Sequence, residues 1–148
     1  CSAERYGYLA TEAAIAYIND TLLAQLPQAL NWVDGSGLSR YNQMSPQSII
    51  LVLDQLLSRY PEELVLSFFP AGGKSGTIKR WYGGDAGTPT YVFAKTGSLR
   101  HIHCLSGYLR AKSGKLYIFS FMHNNYPDKL DTLKEEMERF LEEMHKRL

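Results

Sequence analysis

Cysteine, charge of one sign and long apolar runs are all scarce in this chain, and each scarcity closes off a class of function. Only two cysteines occur, Cys1 and Cys104. That number defines neither a disulfide framework nor a zinc site, and Cys104 reads as a free buried thiol. A mature bacterial lipoprotein also begins with a cysteine. Here, however, apolar helical spacing starts within about ten residues and leaves no tether, so Cys1 reads as following a cut made upstream. Sixteen Lys plus Arg stand against fifteen Asp plus Glu, a net charge of +1, so there is no field to recruit nucleic acid or an acidic membrane. No apolar stretch approaches the ~20 residues of a membrane span.

What is present is ordinary globular material. Hydrophobic residues make up 45% and charged residues 21% of 148, enough for one compact domain with an apolar core. Ala10, Ala13, Ala14, Tyr17, Ile18, Leu22 and Leu26 recur at helical spacing, which predicts a helix over 10–26 closed by Pro27. Asp34-Gly35, Ser36-Gly37 and Asn42 mark 32–45 as a loop. Ser45-Pro46 then opens a second helix with an N-cap serine and a first-position proline. Its Ile49, Ile50, Val52, Leu53, Leu56 and Leu57 predict a well-buried element.

A short helix or turn around 62–69 leads into a glycine-dense connection reaching Pro89. Three strands are expected at 90–94, 102–111 and 116–123, with Lys112-Ser113-Gly114-Lys115 as a hairpin turn between the last two. Leu133, Met137, Phe140, Leu141 and Met144 form the stripe of a C-terminal helix over 130–148. Helices, an antiparallel meander and a closing helix make an α+β fold, with helices packed on one antiparallel sheet.

Two motifs carry more than fold. One is Val33-Asp34-Gly35-Ser36-Gly37-Leu38-Ser39-Arg40-Tyr41-Asn42. The other is Ala94-Lys95-Thr96-Gly97-Ser98-Leu99, which ends the first strand and is followed by a strand containing Ser106-Gly107-Tyr108. With the intervening Gly72-Gly73-Lys74-Ser75-Gly76-Thr77, they keep the order of a family that the chain resembles over nearly its whole length. These are the D-alanyl-D-alanine carboxypeptidases and endopeptidases grouped as class C low-molecular-mass penicillin-binding proteins.

The resemblance implies that residues 1–148 are the C-terminal portion of such a domain, truncated upstream. It implies a peptidoglycan stem peptide ending in D-Ala-D-Ala as substrate, β-lactams as ligands of the intact protein, a periplasmic or extracytoplasmic location and no cofactor. Lys95 is then the catalytic cation, set beside the substrate carboxylate and a second catalytic serine. Thr96 and Ser98 offer hydroxyls to that carboxylate, and Gly97 lets the peptide backbone approach without a Cβ in the way. The segment after them can pair with the peptide as an added strand and present an N–H to the oxyanion. Taken alone, Lys95 is a solvated strand-end lysine and Gly97 a turn glycine.

The family's first chemical motif, S-x-x-K, pairs a nucleophile with its base, and no serine here has lysine three positions on. S-x-N is absent too; Ser39-Arg40-Tyr41-Asn42 has two residues between serine and asparagine. The resemblance places both motifs upstream of Cys1. This chain by itself is therefore expected to be inactive, the substrate-binding half of a serine peptidase. The alternative is a non-catalytic peptide-binding or structural module.

Lesser candidates fall around these motifs. Ser36, Ser39, Asn42 and Arg100 are possible neighbours of the cleft. The favoured reading of the loop is structural, with Asp34 and Ser36 closing Asx turns while Leu38 plugs the core. His101 and His103 would share one strand face with Cys104 on the other, and His123 could join them in a weak metal site. Tyr82, Tyr91 and Tyr108 could line a groove or simply pack. Missing upstream helices would leave an apolar face exposed, which favours self-association.

Overall fold

A computed structural model describes residues 3–4, 7–85, 87–127 and 129–148. Cys1 lies outside the described residues. The chain divides into two compact units, Cys1–Val52 and Leu53–Leu148.

In the first unit, helix α1 (Thr11–Thr21) stops short of the 10–26 expected from periodicity. The Thr21 hydroxyl turns back to the Tyr17 carbonyl at 2.6 Å, and the N–H groups of Leu22 and Leu23 both bond to Ile18 O. This converging end closes the helix before Pro27 is reached. The loop that follows is pinned by a two-way backbone bridge between Asn31 and Gln43. Helix α2 (Pro46–Arg59) begins as expected, with the Ser48 N–H capped by Ser45 Oγ at 3.2 Å. It is less buried than its composition suggests. Ser48 and Leu53 are enclosed, while Ile49, Ile50, Val52, Leu56 and Leu57 are half-buried.

The second unit is a three-stranded antiparallel sheet in the order β1-β2-β3. Its strands are β1 (Val92–Leu99), β2 (Ile102–Arg110) and β3 (Leu116–Asn124). Helix α3 (Glu62–Ser67) and a 3-10 turn (Gly76–Ile78) precede it, and α4 (Leu130–Arg147) follows. Here the sequence expectation needs correction. Lys95-Thr96-Gly97-Ser98 does not lie at the end of a strand over 90–94. It lies within β1, which runs on to Leu99 and turns through Arg100 and His101. Every residue from Val92 to Leu99 has a partner on β2, and that continuous register outweighs the turn tendency of Gly97.

Alternation sorts the sheet into two faces. Val92, Ala94, Leu105 and Leu109 pack with Met137 and Leu141 of α4, and with Ile78, Tyr82 and Tyr91, as one core. The opposite face carries Phe93, Lys95 and Gly97 beside Tyr108, Ser106 and Cys104. There the Tyr108 hydroxyl donates to Leu53 O at 2.9 Å, and its ring meets Phe69 edge-on at 5.2 Å. Tyr82, Tyr91 and Tyr108 are thus core residues, each no more than 1% exposed.

Candidate functional site: the outer edge of the first strand

Hydrogen-bond direction shows what β1 leaves open. The Tyr91 carbonyl accepts from Arg110 N–H at 2.8 Å, toward β2. Ala94 N–H donates to Pro70 O at 3.0 Å, and Val92 O accepts from Gly72 N–H at 2.9 Å, toward the outer edge. By the same alternation the backbone groups of Thr96 and Ser98 point outward. Among the described residues, the Pro70–Gly72 segment covers that edge at its Val92–Ala94 end, and no strand continues the pairing beyond. The open stretch therefore begins at Lys95-Thr96-Gly97-Ser98.

Around this edge the four side chains divide by face. Lys95 is exposed and its ammonium donates to Thr96 O at 2.7 Å. Across the sheet from it, Ser106 shares a 2.8 Å hydroxyl contact with Ser120, so a polar row runs from Lys95 over that face. Thr96 and Ser98 lie on the face toward α4. The Thr96 hydroxyl meets that of Thr77 at 2.7 Å, and the Ser98 hydroxyl meets His103 Nδ1 at 2.7 Å. Thr77 belongs to the 3-10 turn, which gives the glycine-rich segment a definite task. It holds the outer strand from beside.

The fold requires glycine at position 107, where a Cβ would lie 2.1 Å from Phe93 O, and not at position 97. A Cβ on Gly97 would meet only the Cβ of Cys104, at 3.9 Å, and no positive φ constrains it. Packing within this chain leaves room for a side chain there.

The other candidates resolve differently. In the first unit, Asp34 organises its loop. Ser36 donates to its carboxylate from both N–H, at 3.1 Å, and hydroxyl, at 2.9 Å. The Ser36 hydroxyl bond foremost, with Asn42 adding to it, holds the Asp34 carboxyl below its usual range. Asn42 Oδ1 accepts from Val33 and Asp34 N–H at 2.9 and 3.3 Å, and Ser39 Oγ accepts from Tyr41 N–H at 3.2 Å. The expected Asx turns form. Leu38, however, does not plug the core. It is 77% exposed, because the turn spends its bonds on itself and directs the side chain outward.

Arg100 is an exposed turn residue. His101 leaves the strand face on which it was expected to join His103: it occupies the same turn at φ 59°, its ring nitrogen 3.3 Å from Tyr126 O. Among the described residues no cluster of three His, Cys, Asp or Glu side chains could hold a metal. Cys104 is free and half-buried, and burial pushes its thiol pKa up. His103, expected only as a metal ligand, lies instead against the Ser98 hydroxyl. The signal was available, since a two-residue turn at Arg100-His101 sets position 98 opposite 103.

Comparison with known proteins finds relatives along most of the chain. The chain is 33% identical over 126 residues to penicillin-sensitive carboxypeptidase A of Dictyostelium discoideum, covering 78% of this chain and 23% of that protein. It is 35% identical over 95 residues to D-alanyl-D-alanine carboxypeptidase DacB of Haemophilus influenzae, covering 63% and 20%. The crystal structure of Haemophilus influenzae penicillin binding protein 4 (dacB) complexed with a β-lactam superposes with a TM-score of 0.80 at 26% identity, over 98% of this chain and 36% of that one. A predatory peptidoglycan endopeptidase from Bdellovibrio bacteriovorus superposes with a TM-score of 0.61 at 26% identity, over 90% and 37%. The chain spans 20–23% of the length of these two curated relatives. The sequence profile of the D-Ala-D-Ala carboxypeptidase 3 (S13) family matches residues 11–144, nearly the whole chain, and the chain belongs to that family.

Proposed function

We propose that this chain is the substrate-binding wall of a serine-type D-alanyl-D-alanine carboxypeptidase or endopeptidase that acts on peptidoglycan stem peptides outside the cytoplasmic membrane. The observation that carries this reading is the outer edge of β1, open from Lys95 onward. An extended peptide laid there pairs with the outward N–H and C=O groups of Thr96 and Ser98. Gly97 gives its backbone room, and the Lys95 ammonium and Ser98 hydroxyl stand on either side of its terminal carboxylate. On this reading the same edge receives the carboxylate of a β-lactam, and the outward Ser98 N–H stabilises an oxyanion.

Acyl transfer also needs a nucleophile beside a base, and no serine of this chain has a lysine three positions on. The chain by itself binds without acylating. The acyl-enzyme step belongs to an S-x-x-K pair that these residues do not include.

Nuclear magnetic resonance titration of the 148-residue chain with diacetyl-Lys-D-Ala-D-Ala tests the reading. Shifts centred on the amides of Thr96, Gly97 and Ser98 are expected, and they should vanish when the peptide's terminal carboxylate is amidated. Shifts elsewhere, or none, would overturn it. A fluorescent penicillin should leave no covalent label on the chain after denaturing electrophoresis; a stable label would show that a nucleophile is present after all.

The absence of S-x-x-K also favours a second reading, a peptide-binding or structural module that performs no chemistry. The two part on one experiment. Adding the upstream sequence of the gene to the chain should restore penicillin labelling under the first reading and leave it absent under the second.

A further inference from the structure

We propose that His103, buried behind β1, is a positioning residue that fixes the Ser98 hydroxyl as a hydrogen-bond donor toward the open strand edge. The inference rests on the reading of that edge as the place where a substrate carboxylate binds.

Ser98 and His103 are register partners across β1 and β2. Because the backbone groups of Ser98 point away from β2, theirs is a non-hydrogen-bonded pair, the kind that brings side chains closest. Ser98 is an exposed residue, and its hydroxyl lies 2.7 Å from His103 Nδ1. His103 itself is 1% exposed. Its other nitrogen, Nε2, is enclosed without a hydrogen-bond partner among the described residues. The next residue across the sheet, His123 on β3, likewise has an enclosed Nε2 without a partner.

A neutral imidazole carries one N–H. Burial first, then the positive Lys134 of α4 and the neighbouring His123, keep His103 toward its neutral form. Its hydrogen can sit on Nε2, where no acceptor waits, or on Nδ1, where Ser98 Oγ does. An enclosed N–H without an acceptor is costlier than an enclosed lone pair without a donor. The hydrogen therefore belongs on Nδ1, and His103 donates to Ser98. With a lone pair so occupied, the Ser98 hydrogen is free to point outward. Accepting one bond also strengthens the one it donates. The edge thus presents a donor suited to an anionic acceptor such as a peptide carboxylate.

Long-range proton–nitrogen spectra of the chain distinguish the two tautomers directly. His103 is expected as the Nδ1–H form at neutral pH, and an Nε2–H form overturns the inference whatever the peptide does. Peptide titration supplies the second arm. His103→Leu should weaken binding of diacetyl-Lys-D-Ala-D-Ala about tenfold, the scale of one hydrogen bond to a charged group. His103→Asn, whose amide can donate from the Nδ1 position, should restore it to within about threefold. In a Ser98→Ala background His103→Leu should have no further effect. An undiminished loss in that background would mean a merely structural role and sink the idea. A wild-type chain that ignores the peptide would instead remove the functional reading, leaving the tautomer to decide the role of His103.

Discussion

A Cβ placed on Gly107 would lie 2.1 Å from the carbonyl oxygen of Phe93 and 2.6 Å from the Cα of Ala94. The outer strand can lie against β2 only because residue 107 has no side chain. Gly107→Ala must therefore push β1 away just ahead of Lys95. It should cost about 1–3 kcal/mol in urea unfolding, the usual scale of overpacking. Gly97→Ala, where the space is open, should stay within about 0.5 kcal/mol of wild type while abolishing the peptide-induced shifts. Equal losses of stability at the two sites would contradict the assignment of Gly97 to the ligand.

Among the described residues the Lys95 ammonium bonds only to the adjacent Thr96 carbonyl, so the fold gains little from that side chain. Lys95→Met should change stability by less than about 0.5 kcal/mol and weaken peptide binding at least about tenfold. The residual binding should lose its sensitivity to salt. Calorimetric titration at two ionic strengths checks both points.

Three buried tyrosines should respond unequally to losing a hydroxyl. Tyr108 donates to Leu53 O, so Tyr108→Phe should cost about 1 kcal/mol. The hydroxyls of Tyr82 and Tyr91 are enclosed without partners among the described residues. Tyr82→Phe and Tyr91→Phe should be neutral or stabilising by up to about 1 kcal/mol. Thermal denaturation of the three variants ranks them. Burial, reinforced by Glu142, Glu138 and Asp85, pushes the Tyr91 phenol up to about 12, so its ionisation should appear only at strongly alkaline pH.

His103 makes stability depend on pH in one direction. Its folded pKa lies below the ordinary 6.5, first because it is buried. Above pH 6.5 it is neutral in both states and its contribution is fully present. As pH falls below 6.5 the unfolded chain takes up the proton first, so stability declines until the lower folded value has been passed. Unfolding midpoints of wild type and His103→Asn, compared from pH 8 to pH 4, should converge on the acid side. Parallel curves would refute the assignment.

The loop around Asp34 hangs on Asn42, which holds two N–H groups with one oxygen. Asn42→Ala should speed amide exchange at Val33 by about tenfold or more, the loss of roughly one hydrogen bond's protection. Because Ser36 holds the Asp34 carboxyl below its ordinary 3.8, protection at Ser36 should survive acidification past that value. It should be lost only as pH falls through the lower folded pKa.

Much of this protein was legible before any tertiary information. Period-3.6 and period-2 patterns located the helices and the hairpin, and Ser45-Pro46 announced the start of α2. Lys95-Thr96-Gly97-Ser98 pointed to the strand on which the proposed function rests. These are local effects, set by residues within a few positions of one another. Three things were decided elsewhere. Cross-strand pairing carried β1 through Gly97 to Leu99, against the local turn tendency. A bond network internal to the 34–42 loop turned Leu38 outward. Above all, the pairing register placed His103 behind Ser98 and, among the described residues, left one edge of the strand unpaired from Lys95 onward. Alternation along a strand says which residues share a face, but which partner stands opposite, and which edge stays open, depends on segments far apart in the chain.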